Sequence, residues 1–129
     1  MSNKVKALTL ALSAGVFLAN GAIASNSSDP VSCTMASHYG VGDGFHGRVT
    51  ANGEIYDAYG ITAAHRTLPF GTRLAVENQE NGTVVTVRIN DRGPYIHGRD
   101  LDLSYSAFKA IADPDQGVAK VCYYLLSYP

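Results

Sequence analysis

The sequence lacks the signatures of the commonest catalytic classes. There is no Gly-x-Ser-x-Gly, no phosphate loop and no dinucleotide fingerprint, so serine hydrolase, kinase and dehydrogenase readings fail at the first step. No His-Glu-x-x-His pattern is present. The four histidines, His38, His46, His65 and His97, include no pair at metal-ligand spacing, so neither a metal nor an organic cofactor is expected. Nor is any hydrophobic run long enough to span a bilayer: the apolar stretch from Ala7 to Ala19 is 13 residues, where a membrane helix takes roughly 20. Low-complexity tracts, linkers and internal repeats are missing from Met35 onward. Positive charge is scarce as well. Without Lys4 and Lys6, eight basic residues face eleven acidic ones, a net charge of −3 with His neutral, which argues against a nucleic-acid partner.

What the first residues do contain is an export signal. Lys4 and Lys6 precede the apolar stretch, and Ala22-Ile23-Ala24 supplies a small-x-small cleavage site, so residues 1–24 are expected to be removed. The remaining 105 residues suffice for one hydrophobic core. Residues 25–34, polar and carrying Pro30, are expected to form a flexible lead-in to a single domain over 35–129. Cys33 follows Pro30-Val31-Ser32 well beyond the apolar segment, unlike a lipid-attachment cysteine. The product is therefore expected to be soluble, periplasmic or secreted, not lipidated, not inserted in a membrane, and monomeric.

Cys33 and Cys122 are the only cysteines. In an exported chain such a pair has one intramolecular connectivity. A bridge would close most of the domain and contribute about 4 kcal/mol by chain entropy. Two free buried thiols are the alternative.

Strand patterns dominate the rest. Met35–Tyr39 is a short candidate, and Arg73–Glu77 alternates with Leu74 and Val76 on one face. Asn81-Gly82 supplies a turn, and Thr83–Ile89 follows with Val85, Val87 and Ile89 sharing a face, so the two strands read as a hairpin. Asp100-Leu101-Asp102-Leu103 alternates again, and Ala119–Leu126 reads as a last strand. One helix is expected after Ser104, a good N-cap, with an Ala107, Phe108 and Ile111 stripe ended by Pro114. Short strands with one short helix imply a mostly β domain, and a small barrel is favoured although periodicity alone leaves a sandwich open.

Two segments stand out for chemistry. Thr62–Thr72 reads as a mostly nonpolar loop carrying His65 and closed by Pro69 and Gly71. In Arg88–Tyr95 a strand ends on Asn90, Asp91 and Arg92 before a Gly93-Pro94 turn. A carboxylate at the end of a rigid strand is well positioned for acid/base work, which singles out Asp91. Asp102 is expected to pair with an arginine or to cap the helix region.

The segments Ala36–Gly40, Phe45–Arg48, Thr50–Glu54, Thr62–Thr72, Arg88–Tyr95, Gly98-Arg99 and Asp102–Ser104, in this order, resemble the rare lipoprotein A family of bacterial cell-wall proteins. That resemblance implies a six-stranded double-psi β-barrel with one or two short helices, related in fold to expansins. It also implies a lytic transglycosylase that cuts peptide-stripped peptidoglycan glycan strands and leaves 1,6-anhydromuramic ends. Carried onto this sequence, it implies Asp91 as main acid/base, His65 as its partner and Glu54 as a supporting carboxylate. By the same resemblance Asn52, Arg92 and Tyr95 would line the sugar groove, and Tyr39, read as one of several tyrosines, is expected in its apolar floor. Members commonly also carry a lipidated cysteine and a separate peptidoglycan-binding repeat domain; neither is expected here. Two other functions suit the same barrel: a noncatalytic, expansin-like module that binds glycan or loosens walls, and a secreted protease inhibitor or effector.

Overall fold

A computed structural model describes residues 29–129. The expected signal peptide and the first residues of the lead-in lie outside the described residues. The elements are β1 (Ser32–Tyr39), β2 (Thr62–His65), β3 (Arg73–Asn78), β4 (Val84–Asp91), β5 (Arg99–Ser104), the helix α1 (Tyr105–Ile111), a 3₁₀ turn at Pro114–Gln116 and β6 (Val118–Ser127).

Apolar alternation decides which face of each strand turns inward. Leu74 and Val76 of β3, Val87 and Ile89 of β4, and Leu101 and Leu103 of β5 are all fully buried in one cluster. With these apolar faces turned inward, the sheet closes on itself in the order β1-β5-β2-β4-β3-β6. The pairs β1/β5 and β2/β4 run parallel, and the remaining neighbours run antiparallel. This is the six-stranded double-psi β-barrel, mostly β, with one short helix. Ser104 caps that helix by accepting from Ala107 N, and Ala107, Phe108 and Ile111 seal one end of the core. The β3–β4 hairpin turns through Gly82, and Asn78 and Asn81 reach back to donate to the Ile111 carbonyl at 2.7 and 3.0 Å, fixing the helix end to the hairpin.

Two elements differ most from the sequence reading, the other strands departing from it by one or two residues at their ends. β1 starts at Ser32 rather than Met35, because Ser32, Cys33 and Thr34 pair with Tyr123, Cys122 and Val121 of β6. Cys33 and Cys122 face each other in that register and form a disulfide. The second difference is Thr62–His65, expected as loop and found as β2, a central strand between β4 and β5. All four of its residues are buried, so it shows no alternation. Among the described residues, no helix is long and apolar enough to cross a membrane.

Candidate functional site

The psi-type crossing brings the ends of β1 and β4 beside the middle of β5, where they floor a cleft of about 260 Å³. Two carboxyls, Asp91 from β4 and Asp102 from β5, line it together with Tyr39 of β1. Arg92, Phe45, Val49 and Tyr95 form its walls. Tyr95 and Phe45 expose 77% and 49% of their surface, so the rim offers two aromatic faces to solvent.

The two carboxyls sit in opposite surroundings. Asp91 is met only by donors: Ala51 N at 2.9 Å and Arg92 N at 3.0 Å on Oδ1, and the Tyr39 hydroxyl at 2.9 Å on Oδ2. Asp102 has one donor, the Ser37 hydroxyl at 3.1 Å. Burial pushes the Asp102 carboxyl up to about 6, against smaller downward effects of Ser37, Arg99 and His38. Burial and the adjacent Asp91 also raise the Tyr39 hydroxyl well above the ordinary phenol range, so Tyr39 stays a donor.

Of the other expected residues, Arg92 stands in the cleft wall, while His65, Glu54 and Asn52 are not among the residues that line it. His65 ends β2, is 8% exposed, and spends its ring on Tyr123 Oη at 3.0 Å and on the Thr67 and Leu68 N–H groups at 3.1 Å each. None of these partners is Asp91, the residue His65 was expected to assist, and Ala64, its neighbour in β2, lines the cleft. Burial holds the His65 ring below the ordinary imidazole range. Glu54 is bound by Arg88 at 2.6 and 3.0 Å and by Asn90 Nδ2 at 3.1 Å, in a separate hollow with Arg73 and Thr62. Its carboxyl is lowered to about 2, chiefly by the Arg88 hydrogen bond and then by Asn90. The Asn52 side chain accepts from Thr50 Oγ1 and Glu54 N within its own turn. Arg92 points away from Asp91, donating to the Leu68 and His65 carbonyls at 2.8 and 3.2 Å with its guanidinium 3.8 Å over the Phe70 ring.

Residues 31–123 match the family described as lytic transglycolase. The chain belongs to this family. It is 58% identical over 87 residues to the "Probable endolytic peptidoglycan transglycosylase RlpA" of Synechocystis, covering 67% of this chain and 26% of that protein. It is 51% identical over 86 residues to the "Endolytic peptidoglycan transglycosylase RlpA" of Pseudomonas aeruginosa, covering 67% and 25%. The chain thus spans about a quarter of the length of these curated relatives. Among solved structures it is similar to an expansin of Clavibacter michiganensis, with TM-score 0.59 and 26% identity over 75% of this chain and 50% of that one. A Streptomyces papain inhibitor shares the fold, with TM-score 0.60 and 22% identity over 76% and 97%.

The span that carries the family match includes both cleft carboxyls. Asp102 was expected to pair with an arginine or cap the helix; instead it points into the cleft, Ser104 makes the cap, and Arg99 forms no ion pair with it among the described residues. The signal for it was present. Alternation puts Asp102 opposite the buried Leu101 and Leu103, hence on the barrel's other face; which groups share that face depends on the parallel pairing of β5 with β1.

Proposed function

We propose that this protein is a lytic transglycosylase that cleaves peptide-stripped glycan strands of peptidoglycan and leaves 1,6-anhydromuramic ends. The observation that carries this reading is the pair of unlike carboxyls in one aromatic-rimmed cleft. Cleavage of a glycosidic bond needs a proton for the leaving oxygen as positive charge grows on the ring. Asp102, with its carboxyl near 6, holds that proton in mildly acidic medium. Asp91, ringed by donors and fixed at a strand end, takes the proton of the muramic acid 6-hydroxyl as that oxygen attacks within the same sugar. Holding nucleophile and leaving group on one bound residue supplies much of the entropic advantage. Phe45 and Tyr95 stack against the sugar faces, with Arg92 on the adjoining wall. The relatives' names support the substrate. We assign the mature chain to the periplasm or the medium as a soluble, unlipidated protein.

A second reading has an observation of its own. The expansin likeness, one structure of which carries cellohexaose, suits a module that grips glycan without cutting it. Digestion of peptide-stripped sacculi in ¹⁸O-water, read by mass spectrometry, separates the possibilities. Anhydromuramic ends without ¹⁸O are expected. Reducing ends bearing ¹⁸O would make the protein a hydrolase, and binding with no new ends would favour the expansin-like reading.

A further inference from the structure

We propose that His65 is a positioning residue that holds the basic wall of the cleft in place, and not a proton carrier for the sugar. The proposal rests on the glycan-cleavage reading of the cleft for its activity readout, and on geometry alone for the rest. Nδ1 of His65 accepts from two backbone N–H groups, those of Thr67 and Leu68, both at 3.1 Å. An atom that accepts twice carries no proton, so the proton is on Nε2 and is donated to Tyr123 Oη. Tyr123 donates in turn to Asp100 Oδ2 at 3.2 Å, and Asp100 is ion-paired with Arg66 at 2.9 Å. Both ring nitrogens are therefore committed, and neither faces the cleft.

The acceptor pattern of Nδ1, to the second and third residues ahead, is the one an Asn or Asp side chain makes when it caps a turn. What that turn holds is the point. Its Leu68 carbonyl, together with the His65 carbonyl, receives the Arg92 guanidinium, which Phe70 covers from one face. The backbone N–H of Arg92 is one of the three donors on Asp91. A continuous chain of contacts runs from the His65 ring through the 65–68 turn to Arg92 and so to the Asp91 carboxylate. Opening the turn frees Arg92 and loosens the donor set of Asp91.

Three substitutions separate positioning from proton transfer. In His65→Asn the amide oxygen takes the place of Nδ1 and keeps the turn. In His65→Gln the amide reaches toward Tyr123 instead and gives up the turn, and His65→Ala gives up both. Cleavage of peptide-stripped glycan by His65→Asn is expected within a few-fold of wild type, while Gln and Ala fall by about 100-fold in kcat, as small misplacements in active sites do. Equal loss in all three variants at unchanged thermal midpoint would show that the imidazole itself is required, and would overturn the proposal. Long-range ¹⁵N–¹H spectra of the wild type need neither a variant nor turnover. They are expected to show the neutral ring of His65 at pH 7.5 protonated on Nε2 and unprotonated on Nδ1; a ring carrying its proton on Nδ1 overturns the proposal even if wild-type protein leaves glycan uncut, a result that by itself would sink only the cleavage reading.

Discussion

The Tyr39 hydroxyl donates to Asp91 Oδ2 at 2.9 Å while the Tyr39 ring lies stacked on that of Tyr56, 4.3 Å between centroids. Tyr56 returns a hydrogen bond from its own hydroxyl to the Tyr39 carbonyl at 2.7 Å, so the donor to Asp91 stands on a clamped aromatic pair. Tyr39→Phe keeps the stack and deletes the donor. Glycan cleavage by this variant is expected to fall roughly 10- to 100-fold, the worth of one hydrogen bond to a charged group. Its thermal midpoint should stay near wild type, and steady-state rates with a parallel melt check both halves.

The same pair explains Gly40. Its φ of +110° is one that side chains rarely adopt, and a Cβ there would lie 2.9 Å from the Ala58 methyl and would collide with the Tyr56 ring. Gly40→Ala is expected to cost about 1–3 kcal/mol in urea unfolding. Displacing Tyr56 also moves Tyr39, so cleavage should drop at temperatures where the variant is still folded.

Asp102 gives the protein a pH signature of known sign. Its carboxyl rises from 3.8 to about 6 on folding, so the proton is bound more tightly in the folded state. The stability tied to this group is complete below the unfolded value and lost as pH rises through about 6. Asp102→Asn should flatten that part of the stability curve in melts from pH 3.5 to 7.5. The surrounding groups are Ser37 and His38 from β1, Arg99 from β5, Asp43 beyond β1, and Asp91 across the cleft. Ser37 donates to the ionised form and so lowers the value. Ser37→Ala should therefore move the alkaline limb of the cleavage rate, where the acid loses its proton, to higher pH.

The Cys33–Cys122 bridge joins residues 89 positions apart, on the two strands that complete the barrel. Replacing both cysteines with alanine should lower stability by about 4 kcal/mol on the chain-entropy argument. Neither bridge residue lines the cleft, so cleavage by the folded fraction at low temperature should persist. Urea midpoints and cleavage rates on the same samples test this.

Local patterns made much of the barrel readable in advance. Leu74, Val76, Val87 and Ile89 alternate over a turn whose glycine was plain, and Ser104 announced the helix it caps. β2 escaped because Thr62-Ala63-Ala64-His65 is four residues long and buried throughout; its strand character comes from β4 and β5 on either side. Asp91 was legible as a carboxylate at the end of a good strand. The partners of most other site residues were not, since they are set by pairings 24 to 65 positions away: Arg88 on Glu54, Tyr123 on His65, Ser37 on Asp102, Leu68 on Arg92. No periodicity within a segment records which distant strand becomes its neighbour.

The most direct test of the two-carboxyl cleft is to digest peptide-stripped sacculi at pH 5 with wild type, Asp91→Asn and Asp102→Asn, and to count anhydromuramic ends by mass spectrometry. The cleft predicts abundant ends from wild type and almost none from either variant, with glycan pull-down retained by all three. Undiminished release by Asp102→Asn would contradict it.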